Sequence, residues 1–207
     1  VARAVFVQIK CEMGRAYDVA RAAVGMVRPG FLGARRVVVT DDGTGVASAT
    51  AALLRARGLN ADVVTHVPAD ADAVVFLGGL RAVSSVDEAT EVNREAFRAA
   101  KAVAGRASAF VTVQDTGGDF GLSGAGLRAW LGGLAGLVKT AAQEWPAAHC
   151  RAVDLQRGGR DAEALARALV DELLGGGVEL EVGLRADGTR LTLESVAEDV
   201  RDGAPVL

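Results

Sequence analysis

Hydrophobic positions along this chain fall into two alternating patterns. Short runs of β-branched and aliphatic residues recur: Arg36 to Thr40 (RVVVT), Ala61 to Thr65, Ala73 to Leu77 (AVVFL), Ser108 to Val113 and Arg151 to Leu155. Between them lie longer stretches with apolar residues three and four apart, at Gly45 to Arg57, Asp87 to Ala104, Leu127 to Trp145 and Asp161 to Leu174. The first pattern predicts strands and the second amphipathic helices. AVVFL is apolar throughout, as a strand covered on both faces by helices must be. Gly58 and Gly175-Gly176-Gly177 stop two of the helices, and Pro146 stops a third. Val178 to Leu184 and Arg190 to Leu193 flank Ala186-Asp187-Gly188, a hairpin signal. Alternating βα units with short loops predict an α/β fold, a Rossmann-like doubly wound and mostly parallel sheet.

The first residues read differently. Ala4 to Cys11 alternates as a strand, and RAYDVARAAV after Gly14 has helical spacing. Pro29 and three glycines in Gly25 to Gly33 mark a junction. The expected organisation is therefore a strand-helix appendage over 1–25, a linker over 26–33, a Rossmann-like body over 34–194 and a tail over 195–207.

Composition narrows the function. The chain has 207 residues and a net charge of -3, which argues against a general nucleic-acid or anionic-membrane surface. Aromatics make up only 4%, so the core must be built from small aliphatic side chains. Cys11 and Cys150 stand far apart and the only histidines are His66 and His149, so neither a disulfide framework nor a metal site is expected. A reducing cytoplasm is the expected location. No apolar run reaches the ~18 residues of a membrane span.

DDGTGVA after the first strand of the body, VVFLGGL at the third, EVNREAFRAAKA on the next helix, FVTVQDTGGDFG on the fourth strand and GGLAGLVKTAAQEWP followed by CRAVDL together resemble a short-chain dehydrogenase skeleton. More closely, they resemble the ketoreductase region of type I polyketide synthases and polyunsaturated fatty acid synthases. The terminal EVGLRADGTRLTL looks like the segment that closes such a unit. In that family the ketoreductase has two Rossmann-like halves, a structural half without cofactor and a catalytic half that binds NADPH. The resemblance, over about residues 34 to 194, implies the structural half alone. VFVQIKCEMG and the helix after it, within residues 4–24, resemble the opening of an Lrp/AsnC-type effector-binding domain.

A short-chain dehydrogenase uses a Tyr as general acid, a Lys four residues later, and a Ser on the preceding strand end. The register of GLVKTAAQEW places Leu127 at the Tyr position and Leu131 at the Lys position, with the Ser position near Gln114 or Asp115. The one tyrosine is Tyr17, so no catalytic residue is assigned. Asn93 matches an Asn that active members carry on their helix; here it is expected to be structural. Gly43-Thr44-Gly45-Val46-Ala47-Ser48 imitates a phosphate-cradling turn, which makes Gly43 and Gly45 the candidate cofactor-binding residues. In T-G-x-x-x-G-x-G only Gly45 sits correctly; Asp41 replaces the first glycine and Ala47 the last.

No cofactor is therefore expected in this chain, with NADPH in a catalytic partner half or neighbouring synthase domains. Two other readings stay open: an NAD(P)-binding oxidoreductase with an atypical site, and a small ligand-sensing module. Trp130 and Trp145 are expected to anchor the Leu127 helix, and Lys139 to be a solvated charge. His149 is expected in a turn with Cys150 starting a strand, and Asp115 to Gly124 as a flexible loop.

Overall fold

The structure is a computed structural model that describes residues 5–10 and 29–197. The helix expected after Gly14 and most of the C-terminal tail lie outside the described residues. Eight strands form one sheet: β1 (Val5–Lys10), β2 (Val37–Thr40), β3 (Ala61–Val64), β4 (Ala73–Gly79), β5 (Ala109–Gln114), β6 (His149–Leu155), β7 (Glu181–Leu184) and β8 (Arg190–Ala197). Their order is β1-β8-β7-β6-β5-β4-β2-β3. β2 to β7 pair in parallel, while β8 is antiparallel to both β7 and β1. The helices are α1 (Pro29–Leu32), α2 (Val46–Ala56), α3 (Val86–Val103), α4 (Gly133–Glu144) and α5 (Ala162–Gly175), with a 3-10 helix over Gly126–Gly132.

The period-2 geometry of a strand explains the continuous apolar runs. Val37, Val39, Ala73, Val75, Leu77, Val111 and Val113 face a core shared with α2 and α5. Val38, Val74, Phe76 and Phe110 face a second core shared with α3 and α4. Helices on both faces of a mostly parallel sheet make the doubly wound α/β fold read from the sequence. Caps fix two of the helix starts. Ser85 accepts the Glu88 amide at 3.2 Å at the head of α3, and Asp161 accepts the Ala164 amide at 2.7 Å at the head of α5.

Two boundaries differ from the sequence reading. The expected linker contains α1, whose Phe31 is fully buried and whose Gly30 lies where a Cβ would meet the Ser108 carbonyl oxygen at 2.5 Å. The α1 segment thus belongs to the packed body. β8 runs past Leu193 to Ala197, and β1 extends the same sheet beyond it. The expected single helix from Leu127 splits at Gly132-Gly133 into the 3-10 segment and α4. Glycine disfavours the helix interior, and the Trp130 carbonyl is diverted to the Asn93 side-chain amide at 2.8 Å.

Candidate functional site

In an open α/β sheet, ligands bind beyond the carboxyl ends of the strands, where the strand order reverses. Here the chain leaves β2 for β3 on one side and returns to β4 on the other. The residues at that edge are Thr40 to Gly45, Gly78 to Arg81, Gln114 to Gly124 and Gln156 to Arg160.

The turn after β2 contains both candidate glycines, Gly43 at φ 70° and Gly45 at φ 89°. Left-handed backbone of that kind suits glycine. The head of α2 lies immediately beyond. One of its amides, that of Ala47, is taken by Asp42, which is 2% exposed. The Asp42 carboxylate accepts the amide of Ala47 at 2.9 Å and of Thr44 at 3.2 Å, and the Thr44 hydroxyl as well. Asp41 accepts the Gly43 amide at 3.0 Å. These residues do not fit a dinucleotide diphosphate. The Gly43, Thr44 and Ala47 amides already hold a carboxylate, and two carboxylates would face its negative charge.

The two leucines that the sequence register singles out differ in exposure. Leu131 is fully buried, while Leu127 is 47% exposed on the same 3-10 helix. Between them stands Arg128, which the sequence reading did not single out. Its guanidinium turns back over the sheet edge and donates to the Gly79 carbonyl at 2.6 Å, the Arg81 carbonyl at 2.9 Å and the Asp115 carbonyl. Burial pushes the Arg128 pKa down, partly offset by Asp115. Arg157 reaches the same edge from β6 and donates to the Leu80 carbonyl. Nothing local in the sequence separates Arg128 or Arg157 from a surface arginine. Their carbonyl partners lie at or just past the ends of β4 and β5.

Asp115 to Gly124 is not a loose excursion. The Asp154 carboxylate, at the end of β6, accepts the Thr116 amide at 2.6 Å, the Thr116 hydroxyl at 2.8 Å and the Phe120 amide at 2.6 Å. Asp119 is buried and takes the Arg185 guanidinium at 2.8 Å, the Ser123 hydroxyl and the Gly121 amide. Burial raises the Asp154 carboxyl above the usual range despite its donors, and the charge of Asp115 adds to the rise. For Asp119 burial also acts upward, but Ser123 and Arg185 outweigh it and hold the carboxyl below the usual range.

Other residues fall outside this edge or serve packing. Asn93 donates to the Ala89 carbonyl at 2.9 Å and to Trp130, which ties α3 to the 3-10 helix. Trp145 packs edge-on against Phe110 with ring centroids 5.8 Å apart, but Trp130 is 57% exposed and anchors no core. Lys139 pairs with Glu181 at 3.1 Å. His149 lies in β6 together with Cys150, not in a turn. Neighbouring residues of a strand face opposite ways, so the two form no nucleophile pair. Burial pushes the Cys150 thiol up to about 11. Away from the edge, Arg151, Glu172 and Arg190 form a buried ion cluster, with Glu172 between the two guanidinium groups.

A cavity of 570 Å³ opens beside the turn, lined by Thr40, Asp41, Gly43, His66, Phe76 and Arg81 among others. It lies between the β2 turn and α3, and neither Leu127 nor Leu131 lines it. Among the described residues no cluster of three His, Cys, Asp or Glu could hold a metal ion, and no helix is long and apolar enough to cross a membrane.

No family model matches this chain, and no curated protein matches it. Solved structures do. BdcA (YjgI) from E. coli is 12% identical over 70% of this chain and 92% of its own, with a TM-score of 0.43. A bulky-bulky ketone specific alcohol dehydrogenase from Comamonas testosteroni is 16% identical over 81% of this chain and 79% of its own, with a TM-score of 0.46. A carbonyl reductase from Pseudomonas aeruginosa PAO1 is 15% identical over 71% of this chain and 94% of its own, with a TM-score of 0.43. Likeness at this level says nothing about what this chain binds or converts.

Proposed function

We propose that this chain is a non-catalytic structural half of a ketoreductase in a modular polyketide or fatty acid synthase, and that it supports an NADPH-dependent catalytic half on another segment. The observation that carries this reading is the pairing of the glycine turn and the strand-end carbonyls with the chain's own side chains. Asp42 takes the Thr44 and Ala47 amides, and Arg128 takes the Gly79 and Arg81 carbonyls at the strand ends. Leucine stands at both positions where proton transfer needs Tyr and Lys. Such internal pairing favours rigidity of the turn over exchange with a ligand.

The partner is the catalytic half or a neighbouring synthase domain, met through a helix face or sheet edge of this unit. Co-expression of the chain with a matching catalytic half tests this. A stable complex with restored NADPH-dependent ketone reduction is expected. Two folded halves that neither bind nor gain activity would remove the reading.

The cavity beside Gly43 favours one alternative, an oxidoreductase with an atypical NAD(P) site. That alternative requires saturable NADPH binding by the isolated chain. The structural-half reading expects a flat titration.

A further inference from the structure

The acceptor at the head of α2 does not come from the helix's own cap. The residue at the N-cap position is Gly45, which has no side chain to offer. The oxygen that takes the Ala47 amide belongs to Asp42, five residues earlier in the chain. It reaches across the Gly43-Thr44-Gly45 turn and meets the helix from outside, as a bound ligand's oxygen would.

The place holds a negative charge away from water. Asp42 is 2% exposed, so solvent does little to stabilise its carboxylate. Its partners are the Thr44 and Ala47 amides and the Thr44 hydroxyl, with no arginine or lysine among them. Donors of the turn and the positive end of α2 therefore carry the stabilisation. Arg157 points to the same chemistry independently. It arrives from past the end of β6 and donates to the Thr44 hydroxyl at 3.4 Å. The 570 Å³ cavity lined by Thr40, Asp41 and Gly43 opens on the same turn and leaves room for the rest of a larger anion. Asp42 also competes on favourable terms. A side chain tethered in place acts at an effective concentration of about millimolar or more, and a dissolved anion must bind more tightly than that to displace it.

We propose that Asp42 is the built-in occupant of a phosphate-class anion site formed by the Thr44 and Ala47 amides, the Thr44 hydroxyl and Arg157, and that it keeps this site shut to phosphate groups. This rests on the reading of the chain as a half without cofactor, and names the residue responsible.

Calorimetric titration of the full chain with inorganic diphosphate, and separately with NADPH, tests it. The unaltered chain is expected to show no saturation up to about 10 mM of either. Asp42→Ala is expected to bind diphosphate with a dissociation constant of about 1 mM or below, a gain of about tenfold or more. Asp42→Asn removes the charge but keeps an acceptor oxygen, so it disturbs the turn less and should gain less. Adding Arg157→Ala to Asp42→Ala should reverse the gain with an unchanged circular dichroism spectrum. A gain for NADPH as well would extend the site to a dinucleotide, and a gain for diphosphate alone would limit it to the anion; both support the proposal. Folded Asp42 variants that bind no better than the unaltered chain would overturn it and leave the structural-half reading standing. Saturable NADPH binding by the unaltered chain would overturn both.

Discussion

The Asp42 carboxylate accepts the Ala47 amide at 2.9 Å. A side chain thus sits at the helix head where a dinucleotide fold receives phosphate. This fixes the strand-to-helix turn without a ligand. Asp42→Ala leaves the Thr44 and Ala47 amides without that acceptor and should cost about 1–2 kcal/mol in a denaturant titration. Asp42→Asn keeps an acceptor oxygen and should cost less. An unchanged midpoint for Asp42→Ala would show that the turn does not depend on this cap.

Arg128 joins three strand-end carbonyls, and its removal should be felt as lost order at that edge. Arg128→Ala should destabilise the fold by about 1–3 kcal/mol, because half-buried carbonyls lose their donor. Arg128→Lys should recover little of this, since an ammonium cannot present the guanidinium's planar fork. Full recovery by lysine would mean that charge, not geometry, matters there.

Glu172 stands between Arg151 and Arg190 and is 5% exposed. Glu172→Ala takes the acid from between Arg151 and Arg190, while Arg190 keeps Glu179 at 2.9 Å. Breaking a buried cluster in this way should cost about 3–5 kcal/mol. A thermal shift within the range of surface substitutions would contradict the buried cluster.

Asp119 in the loop and Asp154 at the end of β6 make opposite pH demands. Asp154 is raised by burial, so the folded state holds its proton more tightly than the unfolded chain. Its contribution is fully present below the ordinary carboxylate value and is lost as pH rises through the window up to the raised one. Asp119 is lowered, so its contribution is present above the ordinary value and is lost as pH falls through its lowered one. Asp154→Asn should therefore flatten the decline in urea midpoint as pH rises from the ordinary carboxylate range. A variant that keeps the same decline would assign it to another group.

The elements legible in the sequence are those whose signal is local. β2 and β4 read as buried strands because each is apolar throughout, and the β7–β8 hairpin because Gly188 (φ 87°) follows Asp187 at the turn. Leu127 and Leu131 are singled out by register alone, which does not say that one is exposed and the other buried. What escaped depends on distant partners. Asp154 and Arg185, far along the chain, bind the 115–124 loop. That loop's glycines alone suggest looseness. Trp130 read as a core anchor by size, yet Asn93 and the Gly132-Gly133 pair turn its segment into a 3-10 helix with the indole outside. Arg128 gave no signal, because its role exists only once β4 and β5 end side by side.

The most direct test of the central claim is the rate of NADPH-dependent ketone reduction by a matching catalytic half, measured alone, with this chain, and with this chain by itself. A structural half predicts no turnover by this chain, and a rise in rate and stability when the halves are mixed. Reduction by this chain alone, or a folded catalytic half indifferent to its presence, would contradict the account.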